Sequence, residues 1–333
     1  MNMKKLTTKK YLVAGLTGAL ALGLLVGCGN KEKDSGTATD KDAVSVGILQ
    51  YMEHNSLDAA REGFLAELKD AGYEEGKNLK VDSLNSQGDQ ANLKSMSERL
   101  VKEKNDLILT IATPATISVA NETDKIPVLF TAVTDAVAAD IVKSNEKPGG
   151  NITGTSDMVP IDDQTNLLLS IVPKAKKIGM IYNSSEENSV IQADLAKKAL
   201  EKAGVEVKVA TVTSTNDVQQ VMTSLVKDVD GIYIPTDNTL ANTMETVGEI
   251  AKSNKIPVVA GSTEQVEVGG LATYGIDYNE LGRQTGKLAV KILKGEAKPG
   301  DLAIETSKNL KLVVNEDMAK ALDIDPASIK VEK

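Results

Sequence analysis

Short runs of β-branched residues alternate with amphipathic segments of helical length from Val44 onward. This alternation is typical of a parallel α/β sheet, in which helices connect buried strands. The strands predicted in the first half of the chain are Val44–Gln50, Leu79–Asn85, Asp106–Ala112 and Pro127–Val133. Those predicted in the second half are Lys177–Tyr182, Glu206–Val212, Gly231–Pro235, Pro257–Ala260 and Leu271–Ile276.

The segments between these strands have the apolar periodicity of surface helices. In residues 57–71, one face of the predicted helix carries Leu57, Ala60, Phe64, Leu65 and Leu68. The pairs Ala71-Gly72 and Ala203-Gly204 are typical helix stops, because glycine accepts the left-handed conformation that often follows a helix.

The two halves of the pattern repeat one another. Gly47-Ile48-Leu49-Gln50 is followed 132 residues later by Gly179-Met180-Ile181-Tyr182, and the two Ala-Gly stops have the same spacing. Lys125-Ile126-Pro127-Val128 recurs 130 residues later as Lys255-Ile256-Pro257-Val258. We therefore predict an α/β fold of two doubly wound parallel-sheet lobes that face a central cleft. In such sheets ligands bind beyond the carboxyl ends of the strands, so the loops there are candidate ligand contacts.

Size and charge agree with two globular lobes. About 290 residues follow Val44, which is enough for two domains of ordinary size. The net charge is −9 and there is no basic stripe, so we do not expect nucleic acid as a partner.

The N-terminus has the pattern of an export signal. Four lysines, at positions 4, 5, 9 and 10, precede the apolar run Tyr11–Val26, which is shorter than the roughly 20 residues of a membrane span. It ends at Leu25-Val26-Gly27-Cys28, which resembles the lipobox of bacterial lipoproteins and contains the only cysteine. We predict a lipoprotein signal peptide (1–27), lipidation of Cys28, a flexible tether (28–43) and a location on the extracytoplasmic face of the cell membrane. The alternative is a buried cysteine in an uncleaved anchor helix.

The loops after the first-lobe strands supply one set of candidate ligand contacts: Gln50, Tyr51, His54, Thr113, Pro114, Ala115, Thr134 and Asp135. Thr113 is predicted to be the N-cap of a helix and Pro114 its first residue. The amides of Ala115 and Thr116 would then be free to bind a carboxylate.

The second half of the chain supplies a matching set: Ser185, Glu187, Asn188, Ser189, Asp237, Asn238, Gly261 and Asp277. Carboxylates suit an ammonium group and helix N-termini suit a carboxylate, so the whole assembly suits an amino acid zwitterion. Each acid taken alone is more typical of a solvated helix N-cap, so the interpretation depends on the assembly.

Signatures of catalysis are missing from the sequence. We find no G-x-G-x-x-G after Val44, no P-loop, no G-x-S-x-G and no metal-ligand spacing of His and Cys. We therefore expect neither an enzyme nor a bound cofactor or metal.

A long, ordered set of motifs resembles those of the substrate-binding lipoproteins of bacterial ABC importers, in the branch associated with tryptophan, tyrosine and phenylalanine uptake. The resemblance extends from Val44 to about Leu322. It is carried by residues 46–50 with His54, Leu57 and Asp58, and by residues 106–108, 111–115, 130–135, 147–157, 182–189, 236–238, 275–278 and 282–286. Asn55 stands where the family has proline after the histidine.

The resemblance implies a type I periplasmic-binding-protein fold with three crossovers between the lobes. The first lobe would take 44–155 plus about 279–298, and the second 156–278 plus about 299–333. The carboxylate of the ligand would meet the Thr113–Ala115 turn or the Ser185–Ser189 turn. Its ammonium group would meet Asp135, Asp157, Asp237 or Asp277.

The implied function is capture of an aromatic amino acid, tryptophan or tyrosine, by a monomer and its delivery to an ABC permease and its ATPase. A branched amino acid or a sugar as ligand, and a role as surface adhesin or antigen, remain open alternatives. Transcription regulators with a related two-lobed sensor need a DNA-binding helix-turn-helix, whereas this chain begins with a signal and a tether.

Overall fold

Two six-stranded sheets organise the protein, which is described by a computed structural model. The structure describes residues 43–307 and 309–331. The predicted signal peptide, the lipidation site Cys28 and the predicted tether up to residue 42 lie outside these residues. Within the two ranges, no helix combines the length and the apolar character that crossing a membrane requires.

The strands, in chain order, are β1 Val44–Gln50, β2 Leu79–Asn85, β3 Leu107–Ile111, β4 Val128–Val133, β5 Ile152–Ser156, β6 Lys177–Asn183, β7 Glu206–Val212, β8 Gly231–Ile234, β9 Val258–Ala260, β10 Ala272–Gly275, β11 Glu305–Thr306 and β12 Lys311–Val314. The helices are α1 Asn55–Asp70, α2 Gln90–Lys102, α3 Thr113–Ala120, α4 Ile161–Ile171, α5 Glu187–Lys202, α6 Thr215–Leu225, α7 Asn238–Asn242, α8 Met244–Asn254, α9 Thr263–Val268, α10 Tyr278–Leu293 and α11 Glu316–Ala321.

Each sheet has the strand order of a doubly wound fold. The first sheet runs β11-β5-β4-β3-β1-β2 and all its pairs are parallel. The second runs β12-β10-β9-β8-β6-β7 and is parallel except for the antiparallel β10–β12 pair. The central strands β3 and β4 are buried along their whole length, as expected for a parallel sheet covered on both faces. The predicted fold class, two α/β lobes built on parallel sheets, is confirmed.

The chain passes between the two sheets at three places: after β5, after β10 and after β11. We call these the first, second and third connections, and we call the halves built on the two sheets the first and second lobes. Helix α10 follows the second connection and packs closely against α1. A Cβ atom on Gly282 would lie 1.9 Å from the carbonyl oxygen of Ala60. The two helix backbones can therefore approach this closely only because residue 282 is glycine.

The C-terminal segment differs from the expected division of lobes. The expectation gave residues from about 299 onward to the second lobe, but β11 pairs with β5 in the first sheet. The hydroxyl of Thr153 also donates to the carbonyl of Leu302 at 2.8 Å. The physical reason is that β5 would otherwise be an edge strand with unpaired backbone groups, and β11 covers that edge. Only after the third connection, at β12, does the C-terminal segment return to the second sheet.

Candidate functional site

A small cavity lies where the carboxyl ends of the two sheets face each other. Its lining comes from both lobes and from two of the connections: His54, Ser56, Leu57, Ala132, Asp157, Asn188, Thr236, Asp237, Asn238, Ala241, Ser262, Gln265 and Tyr278. Its volume is about 20 Å³, which is room for about one water molecule. A solute the size of an amino acid can therefore enter only when the walls separate.

Most of the polar side chains of the cavity stand at the start of a helix that follows a strand. The first turns of α1, α5 and α9 contain Ser56, Asn188 and Gln265, and α7 and α10 begin at Asn238 and Tyr278. This placement follows from the parallel topology, because every strand leads its successor helix away from the same edge of the sheet.

Hydrogen bonds across the cleft hold the two lobes together. The Nε2 atom of His54 lies 3.1 Å from Oδ1 of Asn238, and the hydroxyls of Ser56 and Ser262 lie 3.2 Å apart. On another side, Nε2 of Gln192 donates to Oγ1 of Thr134 at 3.0 Å. The lobes are therefore in a closed arrangement.

Four polar atoms that border the cavity have no hydrogen-bond partner. Within residues 43–307 and 309–331, five buried side-chain polar atoms lack a partner, and four of these belong to the cavity lining. They are Nδ1 of His54, Oδ1 of Asp157, Oδ1 of Asn188 and Nε2 of Gln265. Because an unpaired buried polar group is costly and rare, their concentration at one place indicates a site that binds a polar group.

Fixed partners determine which of these atoms accept and which donate. The Nδ2 group of Asn188 donates to the carbonyl of Thr236 at 2.9 Å, so its free Oδ1 is an acceptor. Ser262 and Gln265 form a capping box in which Oε1 of Gln265 accepts from the amide of Ser262 at 3.0 Å. The free Nε2 of Gln265 is therefore a donor.

The tautomer of His54 follows from Asn238. The Nδ2 group of Asn238 donates to Glu186, so its Oδ1 must accept from Nε2–H of His54. The free Nδ1 of His54 then carries a lone pair. Burial lowers the pKa of His54 to about 4, against the raising effects of Asn238 and Asp58, and the ring is neutral at pH 7.

Asp157 lies in the first connection and is 4% exposed. Its Oδ2 accepts a 2.7 Å hydrogen bond from the hydroxyl of Tyr278, at the end of the second connection. Burial raises the pKa of Asp157, and the neighbouring hydroxyls of Tyr278 and Thr134 oppose that rise.

The free atoms thus comprise three acceptors, one of them on a carboxyl group, and one donor. An ammonium group has three donors and no acceptor, so it complements the acceptors. A carboxylate oxygen complements the donor on Gln265. The chemistry of the cavity therefore fits a zwitterion.

A pair of buried carboxyl groups lies beside the cavity in the second lobe. Glu186, which the sequence analysis did not select, is fully buried and accepts from the amides of Asn238 and Thr239, both at 3.2 Å. Asp237 accepts from the amides of Asn183 and Leu240, at 2.6 and 2.8 Å. Burial, and then the charge of Glu186, raise the pKa of Asp237 to about 7.

Tyr51 lies near this pair but outside the cavity lining. Its side chain is 4% exposed, and its pKa is raised by burial and then by the charges of Glu186 and Asp237. It borders a neighbouring part of the cleft of about 330 Å³, together with residues of both lobes such as Gly88 and Thr239.

Several of the predicted ligand contacts instead form hydrogen bonds or ion pairs with nearby groups of the protein. The Nε2 group of Gln50 donates within the first lobe to Met52 and Asp58. Asp135 caps the turn at Val137 and Ala138. Asp277 caps α10 through the amide of Glu280 and pairs with Lys311 at 3.1 Å. Burial tends to raise the pKa of Asp277, but these hydrogen bonds and Lys311 outweigh it, and its pKa is lowered.

Of the remaining predicted residues of the second lobe, two are exposed and two are buried. Ser185 and Glu187 are exposed, whereas Ser189 is buried and lies in hydrogen-bond reach of Asn188 and Asp237. Gly261 is a packing position, because a Cβ there would lie 2.4 Å from the amide nitrogen of Thr236.

The predicted helix cap at Thr113 is wrong in its register. The N-cap of α3 is Ala112, with φ of +82°, and Thr113 and Pro114 occupy the first two helical positions. The amide of Thr116 donates to the carbonyl of Ala112 at 3.1 Å, so it is not free for a ligand. Thr113 and Ala115 are buried, and none of residues 113–115 borders the cavity. The positive φ of an alanine is the cause, since it starts the helix one residue early.

The residues that the sequence analysis missed are side chains that become neighbours only in the fold. Tyr278, Gln265, Ser56 and Glu186 all stand within a few residues of a strand end, so the same positional signal applied to them. In the parts of the chain that the structure describes, no group of three or more His, Cys, Asp or Glu is placed to hold a metal ion.

Residues 45–330 match the model of a protein family described as ABC transporter substrate binding protein. The chain belongs to this family of solute-binding proteins. The binding protein is 41% identical over 326 residues to the tyrosine-binding protein of Clostridioides difficile (strain R20291), covering 96% of this chain and 94% of that relative.

Two solved structures, one with a ligand and one ligand-free and open, can be compared with the arrangement of the lobes in this chain. The binding protein matches the ABC domain from Streptococcus pneumonia in complex with L-Trp with a TM-score of 0.82 and 41% identity, covering 85% of this chain and 96% of that one. It matches the ligand-free, open structure of a Clostridium difficile substrate-binding protein with adhesive properties with a TM-score of 0.66 and 44% identity, over 85% and 96% of the chains. Coverage is the same, so the lower score against the open protein agrees with the closed arrangement found here.

Proposed function

We propose that this binding protein captures an aromatic amino acid, tyrosine or tryptophan, between its lobes and delivers it to an ABC permease and its ATPase. The observation that carries the proposal is the set of three free acceptors and one free donor in a single interlobe cavity. These atoms complement the ammonium and carboxylate groups that every amino acid carries.

The aromatic side chain is supported by the relatives. The 41% identical relative is named a tyrosine-binding protein, and the Streptococcus pneumonia domain was solved with L-Trp. In this chain the apolar part of the lining comes from Leu57, Ala132, Ala241 and the ring of Tyr278. An aromatic ring packs favourably on such surfaces, and a tyrosine ring adds a specific edge or stacking contact.

Capture works through closure of the lobes. The cavity is smaller than an amino acid in the closed arrangement described above, so the three connections act as hinges that open the cleft to admit the solute. The lobes then close onto the solute, with the cavity walls held apart by the volume of the solute. The solute stabilises the closed form to the extent that it binds that form more tightly. We propose that the closed monomer is what the permease recognises.

A lipid on Cys28 would hold the binding protein at the extracytoplasmic face of the membrane. The support is the Leu-Val-Gly-Cys sequence that ends the apolar N-terminal run. A diacylglyceryl group supplies about two acyl chains, which is what stable anchoring takes. The segment up to Val44 would then act as a tether that keeps the cleft near the permease.

The test is a thermal-shift screen of the purified protein against the twenty amino acids and common sugars. We expect tyrosine or tryptophan to raise the melting temperature, because a ligand that binds only the folded state stabilises it by mass action. The corresponding D-amino acids serve as controls and should give smaller shifts. No shift with any aromatic amino acid would contradict the proposed ligand and leave the family assignment intact.

An adhesive role is a second candidate, supported by the 44% identical Clostridium difficile protein, which is described as having adhesive properties. Deleting the gene separates the two roles: loss of amino acid uptake with normal attachment supports transport alone. If deletion also abolishes attachment, and a variant that cannot support uptake restores attachment to the deletion strain, the result would support adhesion.

A further inference from the structure

The buried carboxyl groups at the cleft differ in whether both of their oxygens accept hydrogen bonds within the protein. Both oxygens of Glu186 accept hydrogen bonds, from Asn238 on one side and Thr239 on the other. Both oxygens of Asp237 accept backbone amides. The carboxylate oxygens of these two acids therefore accept hydrogen bonds from groups of the second lobe, among them backbone amides at the N-terminus of α7.

Glu264 is engaged in a similar way. Its Oε2 accepts from the hydroxyl of Ser56 at 3.2 Å, and its Oε1 accepts from the amide of Tyr278 at 3.4 Å. Asp135 and Asp277, the other acids that the sequence suggested, cap turns and helices outside the cavity.

Asp157 differs from all of these. Its Oδ2 is held by Tyr278, whereas its Oδ1 is buried at the cavity, with the hydroxyl of Thr134 nearby but no donor of any described residue in hydrogen-bond geometry. Among the residues that line the cavity there is no Lys or Arg, so no side-chain cation neutralises this oxygen. A buried carboxylate oxygen without a donor is expensive unless a partner supplies one.

We infer that Oδ1 of Asp157 accepts the ammonium group of the solute, and that Tyr278 is a positioning residue that orients this carboxylate through Oδ2. The inference rests on the proposed function in assuming an amino acid ligand, but not on that ligand being aromatic. It selects one acid from the four that the sequence left open.

The position of this pair couples recognition of the charge to closure. Asp157 lies in the first connection, and Tyr278 ends the second. A solute bound to Asp157 is thus attached to the hinge rather than to one lobe alone. The lobes then close over it, and His54, Asn188 and Gln265 complete the contacts from either side.

The experiment compares amino acids with the same molecules lacking the amino group. Full-length protein in detergent is titrated by calorimetry with L-tyrosine, L-tryptophan, 3-(4-hydroxyphenyl)propionate and indole-3-propionate. We expect the wild type to prefer each amino acid over its desamino analogue by at least about 100-fold, because a site built to pair with N–H donors rejects an analogue that lacks them. In Asp157→Asn the preference should fall below about tenfold, since the carboxylate charge is lost.

Two further variants separate recognition from folding. Asp162→Asn makes the same chemical change at an exposed position five residues later and should keep the wild-type preference. Tyr278→Phe removes only the hydroxyl, and should reduce the preference by roughly three- to tenfold with little change for the desamino analogues. A purely structural role of Tyr278 would weaken both kinds of ligand equally.

An unchanged preference in Asp157→Asn, or equal weakening of both ligand classes, would overturn the inference. If circular dichroism shows that Asp157→Asn does not fold, the Tyr278→Phe preference decides. If the protein binds a different amino acid, that amino acid and its desamino analogue are used instead: the aromatic proposal then fails while the role of Asp157 is still tested. A wild type that binds only solutes without an ammonium group also overturns it.

Discussion

His54 of the first lobe and Asn238 of the second are joined by a 3.1 Å hydrogen bond in which Nε2 of the histidine donates to Oδ1 of the asparagine. The bond requires a proton on Nε2, and it leaves the other ring nitrogen, Nδ1, buried and without a partner. Because burial lowers the pKa of His54 to about 4, from about 6.5 in an unfolded chain, the pair makes the stability of the closed form depend on pH.

The first prediction concerns the sign of that dependence. Between pH 4 and 6.5 the unfolded protein binds a proton at residue 54 that the folded protein does not, so stability rises with pH across this window. Relative to His54→Gln, the wild type should gain up to about 3 kcal/mol from pH 4 to pH 6.5. Urea unfolding at a series of pH values measures this difference.

The matched control is Asn242→Ala. This variant also removes an interlobe hydrogen bond, from Nδ2 of Asn242 to the carbonyl of Glu53 at 2.8 Å, but it changes no titratable group. Its pH profile should run parallel to that of the wild type. A His54→Gln profile that is also parallel would show that the histidine is not held neutral.

The fold was largely predictable because segments of strand length and of helix length alternate regularly along the chain. For β1, β2 and β7 the predicted and observed bounds coincide, since each is a run of strand length followed by polar or turn residues. The two-residue strand β11 carries no pattern of this kind. Its position depends on the open edge of β5, which is a tertiary property, so the prediction for the C-terminal segment was wrong there.

The site was only partly predictable. Strand-end position selected His54, Asn188, Asp237 and Asn238, and the family resemblance added Asp157; all five line the cavity. It could not separate them from Asp135 or Asp277, which stand at strand ends as well but cap local turns. What distinguishes the two groups is which oxygens remain unpaired after folding, and the sequence does not encode that locally. The same holds for Ala112, whose positive φ moved the start of α3.

The second prediction concerns the paired acids Glu186 and Asp237. Burial and the charge of Glu186 together raise the pKa of Asp237 to about 7. Replacing Glu186 with glutamine removes the charge but not the burial, so the pKa of Asp237 should fall only part of the way towards its ordinary value. Carbon-13 NMR titration of the Asp237 carboxyl group measures it.

Glu187→Gln provides the control for this experiment. Glu187 is the next residue and is exposed, so the same substitution there should leave the titration of Asp237 unchanged. An Asp237 titration that is identical in wild type and Glu186→Gln would mean that the two carboxyl groups do not interact.

The third prediction concerns the anchor. If Cys28 carries the lipid, Cys28→Ser should no longer incorporate labelled fatty acid, and the protein should move from the membrane fraction to the medium or the periplasm. Binding of the amino acid should be unaffected, because the cavity is built entirely from residues 54–278. Unchanged membrane association of Cys28→Ser would favour the alternative of an uncleaved anchor helix.

The fourth prediction concerns the contact between α1 and α10, which fixes the helix that begins at Tyr278. A methyl group at residue 282 would lie 1.9 Å from the carbonyl oxygen of Ala60. This is backbone, which cannot rotate away, so the helices must separate. Gly282→Ala should lower the free energy of unfolding by about 1–3 kcal/mol, the usual cost of overpacking. Gly150→Ala is the control: a Cβ there meets nothing within 4 Å, and its stability should be unchanged or higher by up to about 1 kcal/mol. Equal urea midpoints for the two variants would show that α1 and α10 are not held at this distance.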